Sequence, residues 1–188
     1  AAASLYAALG DGDRAIESIH RHLDDARFVR PNTMYIEGSP VIECSIVLAR
    51  SLQDMLLQSH GGVIRVFPAV PGAWKDAVFR DLRAEGAFLV SAERKDGAVR
   101  WVRVRSLAGE PCRIRPGFAG EARMRTEAAG VRLKPLGGGV YDLDLPDGAE
   151  ALLFAGGDPG TPVLRPLEIA AGEANPHGVK TAVRGPAQ

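Results

Sequence analysis

The spacing of apolar residues changes character once along this chain, near Gly61-Gly62. Before that pair, apolar residues recur at helical spacing; after it they alternate with a period close to two, punctuated by turn residues about every 8–12 positions. A chain patterned this way cannot be one helical bundle or one continuous sheet. It reads as α+β, with helices first and an antiparallel β-sandwich after them. Three segments follow: helices over 1–60, a sandwich over 61–172, and a Gly- and Pro-rich stretch whose last part, 173–188, reads as a mobile tail.

In the first segment, Ala1 to Leu9 reads as a helix already in progress, stopped by Gly10-Asp11-Gly12. The first methionine is Met34, so we expect sequence upstream. Asp13 is placed to cap a second helix, Arg14 to Asp25, with Ala15, Ile16, Ile19 and Leu23 as its inner stripe. His20 and His22 of that helix point to different faces and read as surface or boundary residues. A loop, Val29 to Pro40, leads to a third helix over Pro40 to Ser59, with Ser39 as the expected N-cap and Pro40 at the first helical position. Val41, Ser45, Leu48, Leu52 and Met55 share one face of it, and Ile42, Ile46, Ala49, Leu56 and Leu57 widen that face. A helix so widely apolar calls for enclosure on more sides than two short helices provide. From Val63 onward eight or nine short strands are expected, with Lys95-Asp96-Gly97-Ala98 carrying the Asp-Gly signature of a tight hairpin.

Composition narrows the function classes. Lys plus Arg is 23 and Asp plus Glu is 23 in 188 residues, so there is no electrostatic footprint for nucleic acid or an acidic membrane. No apolar run approaches the roughly 20 residues of a membrane helix. Two cysteines, Cys44 and Cys112, form neither a disulfide framework nor a zinc set, and both read as small core residues. No cofactor or metal motif is present: no phosphate loop, HExxH or GxSxG. The compartment stays open, secreted or cytoplasmic in a bacterium.

Two carboxylates stand out. Glu37 precedes the third helix and Glu43 falls in its first turn, where the partial positive charge of the helix N-terminus favours an ionised carboxylate. That suits a base or water-orienting group better than a proton donor. Trp74 reads as packing at a Pro-rich connection. Trp101 points away from Val102 and Val104, which leaves it available as a sugar-stacking platform. The arginines Arg100, Arg103, Arg105, Arg113 and Arg115 read as a solvated sheet face offset by acids.

Met55 to His60 (MLLQSH), Val63 to Trp74 (VIRVFPAVPGAW) and Leu82 to Phe88 (LRAEGAF) together resemble the C-terminal part of glycoside hydrolase family 95, known for α-L-fucosidases. The resemblance runs from about Ser39 to Arg115. It implies that the helices are the last of a catalytic toroid of six helical hairpins, closed by the sandwich. It also implies an inverting hydrolysis of glycosidic bonds, in which one carboxylic acid protonates the leaving group and a water attacks from the opposite face. In the family an Asp within an IDGN segment helps orient that water. Counting back twelve from Met55, as in the family, reaches Glu43, with Cys44 and Ser45 where the family has Gly and Asn. Aligning Ile36-Glu37-Gly38-Ser39 with IDGN selects Glu37 instead, at the cost of a six-residue insertion. The general acid would lie upstream. The expected partners are therefore a glycoside or oligosaccharide substrate and an upstream barrel region, and the chain alone is expected to be inactive. The alternative is a non-catalytic sandwich that binds carbohydrate or a protein partner, with the helices as a linker pack.

Overall fold

In the computed structural model, residues 2–25, 27–29 and 34–165 are described. Helices α1 (Ala2–Ala8), α2 (Gly12–Leu23) and α3 (Glu43–Leu56) form one layer. The strands are β1 (Ile36–Glu37), β2 (Ser39–Pro40), β3 (Leu57–Gln58), β4 (Ile64–Val66), β5 (Ala77–Ala84), β6 (Phe88–Lys95), β7 (Ala98–Ser106), β8 (Pro111–Arg115), β9 (Ala122–Thr126), β10 (Leu133–Gly137), β11 (Val140–Asp144) and β12 (Glu150–Ala155). Two five-stranded sheets result, β10-β11-β8-β4-β3 and β5-β6-β7-β12-β9. They share one core: Ile64, Val66, Cys112, Ile114 and Leu143 from the first meet Phe88, Val90, Val102, Val104 and Leu153 from the second. Alternation along β8 and β11 puts every second residue into that core, which is the physical content of the period-two pattern. The 173–188 stretch lies outside the described residues.

Among the described residues the pairing is antiparallel except at one place. β4 runs parallel to β8, with Ile64 beside Ile114 and Arg65 beside Arg115. The reason is connectivity: β4 arrives as the second arm of a hairpin with β3, fed directly by α3. The chain then crosses to build β5–β7 before β8 returns beside it.

The helical layer departs from the sequence reading in its caps. The N-cap of α2 is Asp11, whose Oδ1 accepts from the Arg14 amide at 3.1 Å, not Asp13. Asp13 turns to the Pro-rich connection and accepts the Gly72 amide at 3.0 Å. The third helix begins at Glu43, and neither Ser39 nor Pro40 belongs to it. Gly38, at φ 76°, reverses the chain so that Glu37 pairs with Ser39 and Ile36 with Pro40, and the Val41 amide donates to the Tyr35 carbonyl. Pro40 itself disfavours helical backbone at Ser39. The helix also ends earlier than its apolar pattern, because Leu57 and Gln58 extend into β3.

Ala3, Ala7, Ala15, Ile19 and Met55 fill the small helical core, joined by Ala69 and edged by Leu48 and Trp74. Small residues dominate because the helices approach closely. Gly12 is buried against the connection, and a Cβ there would lie 2.3 Å from the Ala69 carbonyl oxygen.

Candidate functional site

α1, the last two turns of α2 and the first two turns of α3 converge on a depression of about 340 Å³. Ala2, Ala3, Val47 and Leu48 give it apolar walls; Ser18, His22, Glu43 and Cys44 supply its polar groups. Glu43 is the first residue of α3, and the N-cap residue Ile42 offers no side-chain acceptor to the orphan amides of that end. The carboxylate therefore meets the uncompensated positive end of the helix.

His22 is held by stacking. Its ring lies on Tyr35 with centroids 4.7 Å apart and planes at 17°, and Tyr35 stacks in turn on Phe28 at 5.7 Å. Partial burial pushes the Tyr35 hydroxyl above its ordinary pKa, with smaller contributions from Glu37, Cys44 and Asp25. Glu37 is exposed on β1 and does not line the depression; its charge reaches Tyr35 at the margin. Of the two carboxylates singled out in the sequence, only Glu43 lines this depression. His22, which the sequence reads as a surface or boundary residue, also lines it. It lies 21 residues before Glu43, and only the packing of α2 on α3 brings them to one cavity.

Trp101 is not an open platform. It does face away from Val102 and Val104, but only 4% of it is exposed. It packs with Leu152, Phe154 and Leu164. Its indole Nε1 donates to Glu93 Oε2 at 3.0 Å. The segment after β12 crosses this outer face, and Arg125 anchors it through Asp158 at 2.8 Å and through the Gly160 carbonyl. The arginine face is largely compensated, as Arg100 pairs with Asp96 and Arg103 with Asp81 and Glu150. Among the described residues no cluster of His, Cys, Asp or Glu has metal-binding geometry, and no helix is long and apolar enough to cross a membrane.

At the other end of α3, the motif residues build the junction between helices and sandwich. Met55 is buried among the helices and Leu57 in the sandwich core. Gln58 is 5% exposed, and its amide donates to the carbonyls of Ala7 and Asp54, both at 2.8 Å. Ser59 Oγ accepts the Glu85 amide at 3.0 Å. A cleft of about 430 Å³ lies between these residues and the end of β5.

This junction is where a comparison with known families begins to match. Residues 58–148 match the glycoside hydrolase family 95 C-terminal domain. The chain thus carries a family 95-like C-terminal part, as the motifs imply, and is related to glycoside hydrolases. No curated protein matches the chain. The family 95 match takes in β4 to β11 and Trp101, and leaves Glu37, Glu43 and the helical layer outside it.

Proposed function

We propose that this chain serves an inverting glycoside hydrolase of α-L-fucosidase type, with Glu43 orienting the attacking water. The observation that carries the reading is the placement of Glu43. It stands at an uncapped helix N-terminus, in a depression whose mixed apolar and polar walls suit a sugar ring, on a chain with a family 95 C-terminal domain. Inversion needs a second carboxylic acid across the scissile bond. Glu43 is the single carboxylate lining this depression among the described residues, so the acid comes from another region. That region is a helical barrel seated on α3, whose Ile42, Ile46 and Leu52 are 73%, 59% and 40% exposed. The chain alone is then inactive. A non-catalytic sugar-binding sandwich is less well supported, since Trp101 is covered by Leu164.

The test is hydrolysis of an aryl α-L-fucoside by this chain alone and within the intact parent polypeptide. The isolated chain should show no turnover, and the parent should release the inverted anomer, read by proton NMR. In the parent, Glu43→Gln should lower turnover by about 10²–10⁴, as for a lost acid–base group, and Glu37→Gln should do less. A dead Glu37→Gln beside an active Glu43→Gln would move the role to Glu37. Retention of configuration would overturn the mechanism.

A further inference from the structure

Outside the Glu43 depression, a pocket of about 410 Å³ opens between the end of α1, the β4–β8 pair and the loop after β8. Three cationic or titratable groups line it, Arg65, Arg115 and His60, and no Asp or Glu does among the described residues. By contrast, Arg100, Arg103 and Arg113 on the sheet surface each have an acid within 4.0 Å. Arg65 and Arg115 are register partners on the two parallel strands, so their side chains leave the same face side by side. Like charges in that relation repel unless something of opposite sign lies between them. Arg65 is steadied by donating Nη1 to the carbonyls of His60 and Val63, at 2.9 and 3.2 Å. Arg115 reaches towards Gly138 in the turn between β10 and β11, and pairs with no carboxylate among the described residues.

We propose that this pocket binds a saccharide-sized molecule carrying an oxyanion. Each guanidinium is a forked donor that matches the paired oxygens of a carboxylate, sulfate or phosphate. Arg115, whose tip rests near Gly138 on the side of β8 away from Arg65, swings back over the pocket to share the anion with Arg65. The volume exceeds that of a bare tetrahedral anion. Leu9, Phe67 and Pro68 line the same pocket as an apolar wall, which suits the C–H face of a pyranose. The site shares no lining residue with the Glu43 depression, so it stands whether or not that reading does.

The experiment is NMR and thermal-shift titration of the chain with glucuronate, glucose and inorganic phosphate at matched ionic strength. Glucuronate should bind and raise Tm, phosphate should bind more weakly, and glucose should do neither. Arg115→Gln should weaken glucuronate at least about tenfold, the loss expected of a charge-assisted forked contact. Arg113→Gln, an equal change of charge on the same strand outside the pocket, should leave binding unchanged. Arg65→Lys gives a second reading, because it keeps the charge and loses the fork. The proposal is overturned if glucuronate binds no better than glucose, or if Arg115→Gln and Arg113→Gln bind it alike. Phosphate binding tighter than glucuronate would overturn the saccharide part.

Discussion

Gln58 joins three parts of the molecule through one side chain, and its replacement gives the sharpest test of the junction. Both partners of its amide are carbonyl oxygens, so the NH₂ end must face them. The Ala7 carbonyl keeps a second donor, the Gly10 amide at 3.0 Å, when Gln58 is lost. The Asp54 carbonyl, in the last turn of α3, loses the Gln58 amide as a donor. Gln58→Leu keeps the volume and removes both bonds. It forfeits two hydrogen bonds from a buried amide to carbonyl oxygens, for a combined cost of about 2–3 kcal/mol. For a chain of this size that lowers Tm by about 5–10 °C. Gln58→Glu should be worse at pH 7, since it sets a buried carboxylate against two carbonyl oxygens. Its folded pKa would be raised, so the extra penalty is absent below the unfolded value of about 4.3 and grows as pH rises towards the folded one. Urea unfolding at pH 7 and pH 4.5 measures both. A Gln58→Leu variant within about 0.5 kcal/mol of the parent, or a Gln58→Glu variant as stable as Gln58→Leu at pH 7, would refute the role given to this amide.

Gly12→Ala should destabilise the chain by about 1–3 kcal/mol, as overpacking does, although helix propensity alone favours Ala, because the added Cβ meets the Ala69 carbonyl at 2.3 Å; calorimetry gives the sign. At Asp81, burial pushes the carboxyl upward but is outweighed by the Ser91 hydroxyl, Arg80 and Arg103, so its pKa is held below the ordinary value. Its contribution is present above the unfolded value of about 3.9 and lost as pH falls through the folded one; Asp81→Asn should flatten that acid limb while keeping the left-handed backbone at φ 51°. Leu164→Ala should expose Trp101, shown by red-shifted fluorescence and greater acrylamide quenching in a Trp74→Phe background, with no comparable fall in Tm. Burial pushes the Cys112 thiol up to about 12, so a thiol reagent at pH 8 should label half-buried Cys44 alone until denaturant is added.

The sandwich was readable because its signals are local. The nine strands β4 to β12 match the eight or nine that the alternation after Val63 predicts, since alternation records which side faces the core. The Asp96-Gly97 turn sits at φ 52° and 79°, as its dipeptide requires. Failures came where two local patterns competed. Asp11 and Asp13 both fit a cap, and the contact of Asp13 with Gly72, 59 residues away, decided between them. Ser39-Pro40 fits a helix start, yet Gly38 folds it into a hairpin. The parallel β4–β8 pair and the cover over Trp101 depend on segments about 50 and 60 residues apart, which no periodicity records. The candidate site was half legible: Glu43 has a helix-start signature, whereas His22 enters only by packing.

The residues that mark the family and those that would do chemistry sit at opposite ends of α3. Met55, Leu57, Gln58 and Ser59 each have a distinct partner in the helices or the sandwich, and β3 follows α3 without a linker. A rigid connection of this kind transmits position: a shift of the sandwich must move α3, and with it Glu43 at the far end, about 20 Å away for a 14-residue helix. The match over 58–148 therefore identifies the frame that holds α3 in place. Under the proposed function, substrate choice would be set instead by what surrounds Glu43 and His22, which line the depression at the other end of α3. Changes in the Gln58 junction should lower turnover in the parent through misplacement of Glu43, with kcat falling for all glycosides alike, whereas changes at His22 should alter the ranking of sugars.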